Sequence, residues 1–77
     1  MRVMTTIVRH IKATFDPEAG VWWAHSDDVP GLVSEAATLD ALIDRVSLVA
    51  GELLSMRGEL TGLVMLQIST EREVTLA

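Results

Sequence analysis

Between Thr38 and Gly58 the apolar residues Leu39, Leu42, Ile43, Val46, Val49, Ala50, Leu53 and Leu54 recur three and four positions apart. That spacing puts them on one face of an α-helix. The remaining apolar stretches are short and read as strands, so a sheet of several strands has a single helix to cover it. One helix shields one face of a sheet, and a stable domain needs its layers paired. That shortage constrains the fold more than any other feature of the chain.

The strands are marked by alternation and by what interrupts it. From Thr6 to Phe15, Ile7, Ile11, Ala13 and Phe15 fall on one side, with Val8, His10, Lys12 and Thr14 on the other. Asp16-Pro17-Glu18-Ala19-Gly20 is a turn, because proline presets φ early and glycine accepts a positive φ at the end. Val21–Ser26 then returns as the second arm of a hairpin. Val29-Pro30-Gly31 breaks that arm, since proline donates nothing to a ladder and glycine permits a sharp change of direction. Leu32–Glu35 is a short third strand.

Thr38 is placed to cap the helix, and Asp40 and Asp44 suit the positive end of its dipole. Gly58 ends the helix, with Arg57 near the last carbonyls. Leu63–Ser69 is a fourth strand, and Glu71–Ala77 alternates weakly, as a fifth edge strand or a frayed tail. The expected fold class is α+β: an antiparallel sheet with one helix on one face, in the order βββαβ. One domain spans 1–77, with its core at about 6–69.

Both faces of such a sheet carry apolar residues, among them Trp22, Trp23, Leu32, Val33, Val64, Met65 and Leu66. The uncovered face therefore calls for a second chain. A homodimer or larger even oligomer is expected, burying about 800 Å² per partner. Consecutive strand residues point to opposite faces. One tryptophan should pack beneath the helix while the other reaches the open face as a candidate anchor.

Composition narrows the function. The chain has no cysteine, which excludes thiol catalysis and cysteine metal sites and fits a reducing cytoplasm. The start, Met1 to Thr6, lacks the apolar block of a signal peptide. No run approaches the roughly 18 apolar residues of a membrane span, so a cytoplasmic protein is expected. A net charge of −5 disfavours nucleic acid as a direct ligand. Seven acids and no Lys or Arg lie between Ala13 and Asp44. They form either a solvated rim or a surface complementary to a basic protein.

Catalytic constellations are thin. His10 and His25 lie on facing arms of the hairpin. A five-residue loop would put them on opposite faces and a four-residue loop on the same face, and neither register supplies a third metal ligand. Asp16, Asp27, Asp28 and Glu52 could in principle bind Mg²⁺ for nucleic-acid cleavage, but no spacing draws them together. Ser26, Ser34 and Ser47 lack a nucleophile elbow, and there is no Gly-rich phosphate loop. No enzyme activity, cofactor or metal is expected.

Trp22-Trp23-Ala24, then Asp28-Val29-Pro30-Gly31-Leu32, then Thr38 opening a helix, resembles the HicB-like antitoxin scaffold. The run from Phe15 through Ala24, with Pro30-Gly31-Leu32 and Ala37-Thr38-Leu39, is similar to a short bacterial subfamily of that group, long described as a domain of unknown function. The resemblance covers roughly Thr6 to Ile68. It implies a partial ribonuclease-H-like fold and a non-catalytic antitoxin that docks on HicA, a small basic RNA-cleaving toxin, and obstructs its active site. Contact residues on that reading are Trp22 or Trp23 with Asp27, Asp28, Glu35 and Asp40. Typical members have Gly-Asp-Thr before the helix, where this chain has Ala36-Ala37-Thr38, and an acid where it has Ala41. They also carry a C-terminal DNA-binding unit, and nothing of that kind is read before Ala77. The alternative is an orphan oligomeric adaptor of the same fold with no toxin partner.

Overall fold

In the computed structural model, which describes residues 6–77, four strands and one helix follow in the order β1 (Thr6–Asp16), β2 (Val21–His25), β3 (Val33–Ala36), α1 (Leu39–Met56) and β4 (Leu63–Glu71). The signal-peptide reading of the first five residues lies outside the described residues. The fold is α+β, as the alternation and the single helical period require.

The hairpin closes through a four-residue loop. Asp16 Oδ1 accepts from the backbone N–H groups of Glu18 (3.0 Å) and Ala19 (3.4 Å), and Gly20, at φ +67°, donates its N–H to the Asp16 carbonyl. Lys12 therefore pairs with His25, Ala13 with Ala24 and Phe15 with Trp22. β2 stops at His25, one residue earlier than expected, because the side chain of Ser26 takes over the next pairing position on β1 (described below). Leu32 is buried beneath the helix, and β3 begins only at Val33.

Thr38 caps α1 as expected, its Oγ1 accepting from Ala41 N–H at 3.1 Å. Gly58, at φ +70°, ends the helix, and Glu59 N–H reaches back to the Leu54 carbonyl at 2.8 Å. The Arg57 guanidinium pairs with Glu59 (3.2 Å) rather than with the helix carbonyls. Leu42, Val46, Ala50 and Leu54 form the buried stripe. They meet Ile11 and Ala13 of β1, Ala24 of β2, and Val29 and Leu32 of the β2–β3 connection.

The sheet order is β3-β2-β1-β4, and it is mixed. β2 is antiparallel to both β1 and β3, but β4 runs parallel to β1, from Thr6↔Leu63 to Thr14↔Glu71. The wholly antiparallel sheet expected from sequence is corrected at this one strand. The cause is directional parity: β3 runs the same way as β1, and α1 carries the chain back so that β4 starts again from the end where β1 starts. β4 follows β1 to Glu71, two residues beyond its expected end. Arg72–Ala77 has no regular structure, although the Arg72 guanidinium lies 4.2 Å above the Phe15 ring.

The open face is less uniformly apolar than the sequence suggested. Val64 and Leu66 pack toward the core, and the open-face apolar residues divide into two patches. Val8, Leu63 and Met65 sit together where β1 and β4 begin, and Trp23 and Val33 sit on β2 and β3. Between them runs a polar band containing His10, Lys12, Gln67 and Ser69.

Candidate functional site

Strand alternation decides between the tryptophans. Trp22 points to the helix side, packs on the core and lies 5.2 Å from the Phe15 ring. Trp23 emerges on the open face, 37% exposed, with its indole stacked on His25 at 5.0 Å. Glu35 pairs directly with Trp23, and Val33, 76% exposed, pairs with His25. Trp23, His25, Val33 and Glu35 thus form one cross-strand quartet.

At the outer border of β3 this quartet continues into a groove of about 480 Å³, lined by Trp23, Val33 and Glu35 from the strands and Arg45, Leu48 and Val49 from α1. Arg45 Nη1 donates to the Glu35 carbonyl at 3.2 Å, tying the helix to the edge strand. Val33, Arg45 and Leu48 were missed as candidate contacts. Their signal was present, since Leu48 is an apolar residue lying off the buried stripe of α1.

The other proposed contacts are dispersed. Asp27 is exposed in the β2–β3 connection. Asp28 is half-buried and engaged: its Oδ2 accepts from His10 N–H at 2.7 Å. Ser26 Oγ donates to the His10 carbonyl at 2.5 Å and accepts from the N–H groups of Asp28 (3.0 Å) and Val29 (3.1 Å). Two side chains thereby substitute for a strand, satisfying both backbone groups of His10 where β2 has ended. Asp40 is exposed in the first turn of α1, at the opposite end of the sheet.

The seven acids of the base-free segment divide in the same way. Asp16, Glu18, Glu35, Asp40 and Asp44 gather toward the end holding the hairpin and the helix start, and Asp27 and Asp28 sit at the other end. Trp23 and Glu35 belong to one site, while Asp27, Asp28 and Asp40 do not converge on it. Trp22 is half-buried and packs against the core on the helix side.

His10 and His25 share the open face without lying opposite each other, as the four-residue register requires. Asp16, Asp27–Asp28 and Glu52 occupy three separate places, and among the described residues no three His or acidic side chains converge on a metal position. Among the described residues no helix is long and apolar enough to cross a membrane.

An α+β unit of one helix on a four-stranded mixed sheet, with an aromatic–acidic patch on its uncovered side, defines a class of small domain. Within that class the family is shown: residues 8–76 match the DUF1902 model, described as a domain of unknown function, and the chain belongs to that family. It is similar to a solved structure, the hypothetical protein TTHA1013 from the extremely thermophilic bacterium Thermus thermophilus. The two share 41% identity and a TM-score of 0.77, over 90% of this chain and 99% of that one. No curated protein matches the chain.

Proposed function

We propose that this protein is a non-catalytic binding module of the bacterial cytoplasm, an antitoxin-like partner that holds a small basic RNA-cleaving toxin of the HicA type inactive. The observation that carries the reading is Trp23. Strand alternation holds this indole out of the core, beside Val33 and Glu35, within the longest base-free segment of an acidic chain. Exposed tryptophan in an apolar setting is the residue most enriched among binding anchors. Glu35 beside it, on a chain of net charge −5, favours a basic partner and sets its approach. The resemblance of Trp22–Ala24, Asp28–Leu32 and Thr38–Leu39 to the HicB-like scaffold supports the same class of partner.

On this reading Trp23 enters an apolar recess of the toxin, Glu35 faces its bases, and Val33 and Leu48 exclude water from the joint. Asp28 holds the β2–β3 connection in shape and makes no direct contact. RNA cleavage by a HicA-type toxin, assayed with and without this chain, tests the proposal. Cleavage should stop at near-stoichiometric chain and resume with Trp23→Ala or Glu35→Lys. Undiminished cleavage in the presence of excess folded chain would refute it.

A further inference from the structure

The two edges of the sheet are built differently. β3 has four residues, carries Glu35, and has the Glu35 carbonyl occupied by Arg45. Those are the usual devices by which an edge is guarded against further pairing. β4 has nine residues, and no strand among the described residues pairs with its outer side. From Leu63 to Thr70 it contains no charge and no proline. Its apolar residues occupy both faces of the pleat: Leu63 (50% exposed) and Met65 (52%) on the open face, and Val64, Leu66 and Ile68, only half-buried, on the helix side. α1 packs over the β3–β2 side of the sheet and leaves β4 at its margin.

We propose that two copies of this chain pair antiparallel along the outer edges of β4, about a two-fold axis near Gln67, to form one continuous eight-stranded sheet. A second copy fits because the strip is self-complementary under that axis. Leu66 falls beside Ile68 of the second copy, Val64 beside Thr70, Met65 beside Ser69 and Gln67 beside Gln67. The acids at the end of each β4, Glu71 and Glu73, meet Leu63 and Thr61 of the second copy, so like charges lie at opposite ends of the joint. In a chain of net charge −5 this is where self-association meets least repulsion, and a basic partner would find no charge there to read. The surface lies at the opposite edge of the sheet from the Trp23 groove, and the proposal stands independently of the toxin reading.

Light scattering tests it. The wild type should run at twice 8.4 kDa at micromolar concentration. Gln67→Lys and Gln67→Glu, each folded by circular dichroism, should run as monomers, and their equimolar mixture should recover the doubled mass. Trp23→Ala should remain dimeric. Because the chain has no cysteine, Gln67→Cys adds a readout that does not depend on destabilising the joint. It should oxidise to a covalent dimer at least about tenfold faster than Val33→Cys, since only the former thiols face each other. A monomeric wild type, a dimer that survives Gln67→Lys but not Trp23→Ala, or equal oxidation rates would overturn the proposal.

Discussion

Ser26 is the residue on which the shape of the site turns. Its hydroxyl serves the His10 carbonyl and two backbone N–H groups at once, and it allows β2 to end while β1 continues. Ser26→Ala leaves those groups partly unpaired, at a cost of about 2 kcal/mol. For a domain of this size that lowers Tm by about 10 °C, measurable by thermal denaturation; an unchanged Tm would remove Ser26 from this role. Gly31 holds φ at +86°, and an added Cβ there would meet Leu53 only at an ordinary 3.8 Å. The cost of Gly31→Ala should therefore be backbone strain alone, about 1–2 kcal/mol, read as a shift of urea midpoint with unchanged slope. At this scale the sequence was partly legible. Alternation required the two tryptophans to diverge, but naming Trp23 as the outward one needed the hairpin register and the side on which α1 lies. Asp28 read as a contact residue in the sequence, because the backbone N–H that it serves, that of His10, is 18 residues away.

Among the elements, α1 was the most legible, since its period, its Thr38 cap and its Gly58 stop are all local signals. Thr38→Ala should cost about 1 kcal/mol. Ala50 is fully buried in a cluster that also contains Ala13 and Ala24, small residues that let the helix approach the sheet closely. Ala50→Leu should overpack that layer and cost about 1–3 kcal/mol, measured by chemical denaturation, whereas Ser47→Ala on the solvent side should cost little. The strands were legible as segments and less so as a sheet. Nothing in Leu63–Glu71 itself declares parallel or antiparallel pairing. That follows from counting reversals along the whole chain, and the pairing partner follows from which edge α1 leaves open.

For the whole molecule, the lack of a second helix among the described residues remains the organising fact, and it produces two surfaces of opposite character. The Trp23 patch carries Glu35, has Arg45 in the adjoining groove and wraps the guarded edge, suited to a charged partner. The β4 edge is uncharged from Leu63 to Thr70 and strand-shaped, suited to another copy of the same strand. Charge steering should then be visible in the kinetics. Association with a basic toxin should slow by about tenfold or more between roughly 50 and 500 mM salt, while self-association along β4 should be nearly indifferent to salt. The acidic bias was legible in the sequence, but its division between two ends of the sheet was not, because distance along the chain says little about which end of a strand a residue occupies.

The most direct measurement is isothermal titration of a HicA-type toxin, its catalytic histidine replaced, into the wild-type chain and into Trp23→Ala. The wild type should bind tightly, and Trp23→Ala, still folded, should lose about 2 kcal/mol or more, roughly thirtyfold in Kd. Equal affinity for the two chains, or heat of dilution alone with the wild type, would contradict the assignment of the uncovered side of the sheet as a docking surface for that partner.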